Sequence, residues 1–173
     1  AANHLEVIGG RDLIQQVKLW STATSSYATY NSATPMPSGF ARFCSGDTGA
    51  VTAYRFGALG TDDRIHLNGE ENGDSGRAFA HVATGAEAGT TFELPRLGDY
   101  SFENAVVCPQ AQEKTIVVGT DDSTPGQVYV YVGTKQAAGN TVERAGLTNG
   151  GLYGVAVAGV TIDGSGRPVE DRV

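Results

Sequence analysis

The chain has 173 residues, a formal net charge of −7 and a pI near 4.8, and only three of its twelve basic residues are lysines. Such an acidic surface repels phosphate backbones and anionic lipid, which argues against binding to nucleic acid or to a membrane surface. No apolar run approaches the roughly 20 residues that a membrane helix needs, so membrane insertion is not expected.

Glycine and cysteine usage narrows the fold class further. The 24 glycines are spread along the chain with Ser, Thr, Asn and Asp, a composition typical of turns between many short strands. We therefore predict an all-β fold. The two cysteines, Cys44 and Cys108, permit one disulfide but do not define a cellular compartment.

The first third of the chain is the least regular part. Residues 12–20 and 27–30 read as a β-hairpin, and the Pro- and Gly-containing residues 35–39 read as a loop. We interpret this part as a divergent structural unit.

An internal repeat begins in the middle of the chain. Residues 64–93 align with residues 114–143 at an offset of fifty without a gap, so that Gly69 falls on Gly119. Further coincident pairs are Gly76 with Gly126, Val82 with Val132, Ala88-Gly89 with Ala138-Gly139, Thr91 with Thr141, Glu93 with Glu143 and Leu97 with Leu147. Glycines in register mark turns that need positive φ or close backbone approach, so the two segments are predicted to fold alike.

Each repeat contains four predicted strands. They lie at 65–67, 77–82, 91–94 and 103–107 in the first copy, and at 115–118, 127–132, 141–143 and 153–157 in the second. Four antiparallel strands in about fifty residues are typical of a β-propeller blade. The sequence therefore predicts a β-propeller-like fold with four-stranded blades, in which residues 1–173 belong to a single domain and 64–113 and 114–163 are successive repeats.

The length of the chain limits how much of a ring it can form. A closed ring needs at least four blades, or about 200 residues at this period. The chain holds 173/50, about three and a half periods, so we expect an incomplete ring that belongs to a longer protein or that another chain completes. A β-sandwich, in which two hairpins look alike by chance, is the alternative fold.

Two aligned loops carry clustered acidic residues. The first contains Glu70 and Glu71, and the second contains Asp121 and Asp122. Because the loops follow equivalent strands of consecutive repeats, they are expected at the same end of the ring. Ca²⁺ takes about six to eight oxygen ligands, so these carboxylates, with Asn72, predict a calcium site. For each loop alone, a solvated polar turn is the alternative.

Two further residues are candidate metal ligands. Glu103 opens an apolar run, where a buried carboxylate needs a partner, so it is either a ligand or an edge residue that faces water. Cys44 lies between an aromatic residue and a Ser-Gly-Asp turn. Its thiolate could bind a softer metal such as iron, and a buried free cysteine is the alternative.

Other kinds of site chemistry are disfavoured. His4, His66 and His81 show no zinc-ligand spacing. The chain also has neither a G-x-S-x-G nucleophile elbow nor a phosphate-binding P-loop. A zinc hydrolase or a serine-nucleophile enzyme is therefore not expected.

Four short motifs occur in a distinctive order. They are RFCSG at 42–46, NGEEN at 68–72, FENA at 102–105 and GTDD at 119–122. In order and spacing they resemble the PhoX-type alkaline phosphatases and their secreted relatives, over residues 40–132. The resemblance implies a secreted, periplasmic or extracellular β-propeller that hydrolyses phosphate monoesters with an iron and calcium cluster on its axis.

The resemblance also implies roles for individual residues. By motif these are Cys44 for the iron-ligating cysteine, Glu71 and Glu103 for metal-binding glutamates, and Asp121 or Asp122 for an acidic position near calcium. The chain departs from the family pattern twice. Phe102 stands where the family has a histidine, and Gly69 stands where a cysteine is usual.

Two functions follow as hypotheses. In the first, the protein is an extracellular metal-dependent phosphatase, in which bound metals neutralise phosphate oxygens and align a hydroxide or water for attack at phosphorus. In the second, it is a non-catalytic, calcium-stabilised extracellular propeller that acts in binding, adhesion or assembly. The expected partners are accordingly a phosphate ester or another chain that completes the propeller.

Overall fold

The computed structural model describes residue 7, residues 9–156 and residues 158–159. These residues form 12 strands and one short α-helix, so the all-β prediction is confirmed. The strands are β1 (Gln16–Ser21), β2 (Ser26–Asn31), β3 (Asp47–Thr48), β4 (Arg55–Phe56), β5 (Leu59–Gly60), β6 (Ile65–Gly69), β7 (Ala78–Val82), β8 (Thr90–Glu93), β9 (Phe102–Val107), β10 (Lys114–Asp121), β11 (Val128–Thr134) and β12 (Gly151–Gly154). Helix α1 (Thr141–Arg144) lies between β11 and β12. The described part contains no helix that is long and apolar enough to cross a bilayer.

The strands form two large sheets and one small hairpin. The six-stranded sheet has the order β2-β1-β8-β7-β6-β3, the four-stranded sheet has the order β12-β11-β10-β9, and β4 pairs with β5. Neighbouring strands are antiparallel except β1 and β8, which run parallel. The predicted N-terminal hairpin is thus confirmed as β1 and β2, and it extends the sheet beyond β8.

Two consecutive β-meanders stack on each other in the same sense. The first meander consists of β3, β6, β7 and β8, and the second of β9, β10, β11 and β12. Their first strands, β3 and β9, run in the same direction. Cys44, just before β3, contacts Glu103 near the start of β9, and Asp47 in β3 contacts the end of β9, where its Oδ2 accepts a hydrogen bond from Val107 N at 3.3 Å. The core lies between the meanders and includes Leu67, Ala80, Phe92, Val117 and Tyr131.

The first meander is buried on both faces. All five residues of β7 are buried. The alanines and the valine of β7 belong to the core, and because side chains alternate along a strand, Phe79 and His81 face the other way. Phe40 and Phe43 pack on them there, and the ring centroids of Phe40 and Phe79 are 5.1 Å apart.

Among the described residues, the second meander is buried on one face only. Val117 and Tyr131 point into the core, and the alternate side chains point outward. These outward apolar residues form the valine face, which consists of Val106, Ile116, Val118, Val128, Val130, Val132, Tyr153 and Val155. Alternation of this kind is typical of an antiparallel sheet that is covered on one side.

The strand predicted at 141–143 is wrong, because these residues belong to helix α1. Asn140 and Glu143 form a capping box: Asn140 Oδ1 accepts a hydrogen bond from Glu143 N at 2.9 Å, and Glu143 Oε2 accepts one from Asn140 N at 2.8 Å. A capping box satisfies backbone N–H groups that only a helix start leaves free. The coincidence of Thr91 with Thr141 therefore does not extend to conformation, since Thr91 lies in β8.

The strand predicted at 103–107 exists as β9, but its predicted place as the last strand of the first repeat is wrong. It begins the second meander and pairs with β10. The edge of β8 is occupied by β1, which leaves no place for β9 there. The counterpart predicted at 153–157 corresponds to β12, and residue 157 lies outside the described residues. The repeat boundaries at 64–113 and 114–163 stay predictions.

Candidate metal centre

Three of the six predicted ligands lie together where the two meanders meet. Cys44, Glu71 and Glu103 each offer one ligand atom, and these atoms lie within 4.8 Å of one another. All three side chains are half-buried, so the group is reachable from solvent. We refer to these three residues as the Cys-Glu-Glu group.

Backbone hydrogen bonds hold the three residues in place. The segment before β3 runs antiparallel to the end of β6, with Cys44 N donating to Gly69 O at 3.2 Å and Glu71 N donating to Arg42 O at 2.8 Å. On the other side, Phe102 N donates to Glu70 O at 3.1 Å, which places β9 and its Glu103 beside the same segment. The group therefore depends on contacts between residues that are far apart in sequence.

The two departures from the PhoX pattern lie against each other. Gly69 packs on the ring of Phe102, and a Cβ atom at position 69 would overlap that ring. Phe102 is completely buried and stacks on Tyr100, with ring centroids 3.7 Å apart. A large apolar side chain at position 102 thus requires a glycine at position 69, so the two replacements are sterically coupled.

The electrostatics of the group are those of a protonated thiol between carboxylates. Cys44 Sγ donates to Glu103 Oε2 at 3.1 Å. This hydrogen bond, a second one to Glu71 and partial burial raise the pKa of the Cys44 thiol. Glu71 is also paired with the guanidinium of Arg42. Two carboxylates around one thiol place negative charge where a cation would be stabilised.

Glu70, a predicted ligand, makes a different set of contacts. Its carboxylate accepts hydrogen bonds from Arg77 Nε at 2.8 Å, from Arg77 Nη2 at 2.7 Å and from Ala41 N at 2.7 Å. The residue is only 1% exposed. Burial alone would raise the pKa of Glu70, but the hydrogen bonds from Arg77 and Ala41 outweigh it and lower the pKa. Glu70 therefore fixes the start of the loop and is not available to a metal in this arrangement.

Asp121 and Asp122 lie at the end of β10 and are not members of the Cys-Glu-Glu group within the described residues. Asp121 is paired with Phe102 across a bulge, and Asp122 N donates to Ser101 O at 2.8 Å. Asp121 Oδ1 is buried and has no hydrogen-bond partner in the described part of the chain. An unsatisfied buried carboxylate oxygen is a position that a cation or a water would satisfy.

The two acidic loops lie on opposite sides of one short segment. Tyr100 N donates to Gly76 O at 3.1 Å, in the first loop, and Ser101 O accepts from Asp122 N in the second. Each loop joins the second and third strands of its meander, and the meanders stack in the same sense. The loops are therefore at the same end of the stack.

The donor chemistry of the Cys-Glu-Glu group fits one transition-metal ion. A thiolate with two carboxylates suits iron or zinc, whose bonds to sulfur and oxygen are about 2.0–2.3 Å long. Donors around a tetrahedral ion of this kind are about 3.3–3.8 Å apart, so ligand atoms that lie within 4.8 Å of one another need only a small approach to bind one ion. The oxygen-rich calcium set is not assembled in the same way, since Glu70 is engaged by Arg77.

Sequence reasoning missed the two arginines that divide the roles of Glu70 and Glu71. Arg77 holds Glu70, and Arg42 holds Glu71.

No protein-family model, no curated protein and no solved structure matches the chain. The resemblance to PhoX-type phosphatases therefore stays a prediction that depends on four short motifs.

Proposed function

We propose that the chain is part of an extracellular metal-dependent phosphatase of the PhoX type. The observation that carries this proposal is the convergence of Cys44, Glu71 and Glu103, whose ligand atoms lie within 4.8 Å of one another. The three residues come from three separate motifs of the resemblance. A metal ion bound there would polarise a phosphoryl oxygen and activate water at neutral pH.

The residues of the chain have separate tasks in this proposal. Cys44, Glu71 and Glu103 hold the ion, and Cys44 must release its proton to do so, because the thiolate is the ligand. When the ion takes the Glu71 carboxylate, the guanidinium of Arg42, which pairs with that carboxylate and whose side chain is 71% exposed, would be released to bind phosphate oxygens. A guanidinium suits this task because its N–H groups match phosphate geometry.

We further propose that the two meanders belong to a β-propeller-like ring. Supporting this are their equal strand order, their stacking in the same sense and the position of the Cys-Glu-Glu group at their first strands. In a propeller the first strands surround the central channel, where several blades contribute to one site. Calcium would then bind near the acidic loops, with Asp121 as its first candidate ligand.

Cobalt titration tests the metal group directly. Co²⁺ bound by a thiolate gives a charge-transfer absorption that carboxylates alone do not give. We expect this absorption for the wild-type chain, its loss in Cys44→Ser, and at least about tenfold weaker binding in Glu103→Gln. Glu113→Gln is the control, because Glu113 is an exposed glutamate outside the group. Wild-type protein without the absorption would refute the metal group.

Hydrolysis of a chromogenic phosphate ester, with and without a chelator, tests the enzymatic part. The phosphatase proposal expects turnover that the chelator abolishes and that Glu103→Gln lowers in parallel with metal affinity. Arg42→Gln should weaken substrate binding more than metal binding, which separates the two tasks. Cobalt binding without any hydrolysis would leave the metal group standing and exclude the phosphatase.

A non-catalytic, calcium-stabilised propeller acting in binding, adhesion or assembly is the second candidate. The observation that favours it is the valine face, which the described residues leave partly exposed and which is suited to assembly. In that case Ca²⁺ should raise the melting temperature of the chain while no phosphate ester is hydrolysed. Asp121→Asn should remove the stabilisation by Ca²⁺, because Asp121 carries the unsatisfied buried oxygen.

A further inference from the structure

The segment that carries Arg42 and Cys44 has little regular structure of its own. Residues 32–46, all of which the structure describes, include no strand and no helix. The segment forms an isolated bridge from Phe43 to Glu70, at the end of β6. The positions of Arg42 and Cys44 are therefore decided by contacts with other elements.

An ion pair next to the Cys-Glu-Glu group supplies two of these contacts. Glu70 Oε1 accepts a hydrogen bond from Ala41 N at 2.7 Å, and Arg77 Nη2 donates one to Gly39 O at 3.1 Å. One partner thus holds a backbone N–H of the segment, and the other holds a backbone carbonyl. We refer to Glu70 and Arg77 as the buried pair.

The geometry of the buried pair is fixed from several directions. Arg77 donates to both carboxylate oxygens of Glu70, from Nε to Oε2 at 2.8 Å and from Nη2 to Oε1 at 2.7 Å. Its backbone N donates to Oε2 as well, at 3.2 Å. The guanidinium also lies over the ring of Phe79, 5.2 Å from the ring centroid. A two-pronged contact of this kind specifies direction as well as distance, so it can hold a segment in one position.

The buried pair is linked through the chain to three residues of the proposed site. Ala41 lies next to Arg42 and three residues before Cys44. Glu70 lies next to Glu71. Because successive side chains in extended backbone point to opposite sides, holding Glu70 on one side leaves Glu71 on the side of Cys44.

We propose that Glu70 and Arg77 are positioning residues of the metal centre, which hold Cys44 and Glu71 close enough together to share one ion. The inference rests on the proposed function, because it assigns the buried pair to a metal site. Replacing a residue that orients a metal ligand typically lowers metal affinity by about 10- to 100-fold. The buried pair should therefore affect metal binding although neither of its residues belongs to the Cys-Glu-Glu group.

Variants that conserve charge separate positioning from electrostatics. Arg77→Lys keeps the positive charge but lacks the planar fork, and Glu70→Asp is one methylene too short to contact Ala41 N and Arg77 together. We expect Co²⁺ to bind at least about tenfold more weakly to both, with less thiolate charge-transfer absorption per bound ion. A role through charge alone predicts no change. Arg144→Lys is the matched control, because Arg144 pairs with Asp63 at 3.2 Å at the opposite end of β6.

Alkylation of the cysteines tests the positioning without any metal. Cys44 and Cys108 are both half-buried free thiols, and peptide mass spectrometry gives the rate at which iodoacetamide modifies each of them. Global unfolding exposes both thiols, whereas loosening of the segment exposes Cys44 alone. The ratio of the Cys44 rate to the Cys108 rate should rise at least about tenfold in Arg77→Lys and Glu70→Asp, and stay unchanged in Arg144→Lys.

The two measurements distinguish the positioning role from the proposed function. A wild-type chain that binds no Co²⁺ would refute the metal function, and the alkylation ratio would then decide by itself whether the buried pair places Cys44. An unchanged alkylation ratio in Arg77→Lys and Glu70→Asp would refute the positioning role. Binding of Co²⁺ to both variants as tightly as to the wild type would refute it as well.

Discussion

The two meanders differ in what covers them, and the difference is not visible in the strands themselves. Strand β11 is richer in β-branched and aromatic residues than β7, yet β7 is entirely buried while β11 alternates between buried and partly exposed residues. The rear face of β7 is covered by Phe40 and Phe43, which precede β3 in the chain. Burial here is therefore decided by distant segments and not by the hydrophobicity of the strand.

The covered meander also contains a buried network of side-chain hydrogen bonds centred on a histidine. His81 hydrogen-bonds Thr91 Oγ1 at 2.8 Å through Nδ1 and Asn68 Oδ1 at 2.9 Å through Nε2. His81 is almost completely buried, and burial, with His66 close by, lowers its pKa to about 4. Because both of its faces are covered, the first meander is tightly packed, and the buried histidine makes its stability sensitive to acid.

The largest expected difference is between truncations on the two meanders. Phe79→Ala should lower the free energy of unfolding by about 4 kcal/mol, because it leaves a cavity under Phe40 and Phe43. Val118→Ala should cost less than about 1 kcal/mol in the monomer, since Val118 is partly exposed. Urea unfolding at a concentration that keeps the chain monomeric measures both. Equal costs would show that the valine face is covered within a single chain.

The second largest expected effect is the loss of stability of the first meander in acid. His81 is neutral in the folded chain, and its pKa rises from about 4 to the ordinary 6.5 on unfolding. Between these values the unfolded state binds more protons, so stability is lost as the pH falls from 6.5 towards 4. We expect a loss of about 2.5 kcal/mol between pH ~7.5 and pH ~4.5.

A variant isolates the histidine from other acid-sensitive groups. Glu70, whose pKa is lowered, contributes in the same direction at lower pH, since its ion pair with Arg77 is lost when the carboxylate is protonated. His81→Gln can still hydrogen-bond to Thr91 and Asn68 but does not titrate. The pH dependence of urea unfolding should therefore be shallower in His81→Gln than in the wild type. The same slope in both would exclude His81 as the cause.

Much of the fold could be predicted from turns and strand composition, but strand partners could not. The glycines in register and the β-branched runs located β6, β7, β10 and β11 within a few residues. The offset of fifty does not hold for strand pairing, however. Leu67 pairs with Ala80, so the offset predicts that Val117 pairs with Val130, but Val117 pairs with Tyr131. One residue of slip changes which side chains face the core, and a list of identities does not reveal it.

The candidate site shows a similar division. Residue type and clustering indicated Cys44, Glu71 and Glu103, which the structure brings together. They could not separate Glu70 from Glu71, although successive side chains in extended backbone point to opposite sides. Which of the two meets Arg77 depends on how the segment before β3 pairs with the end of β6, a contact between residues almost thirty positions apart.

The smallest expected effect concerns the segment whose conformation differs most between the two aligned repeats, which is strand β8 in the first and helix α1 in the second. Asn140→Ala should lower the free energy of unfolding by about 1 kcal/mol, because it leaves Glu143 N without its capping acceptor. Asn140→Asp keeps that acceptor and should stay within a few tenths of a kcal/mol of the wild type. Urea unfolding compares the variants. If residues 141–143 formed a strand like β8, alanine and aspartate at position 140 would be equivalent, so equal stabilities would contradict the helix.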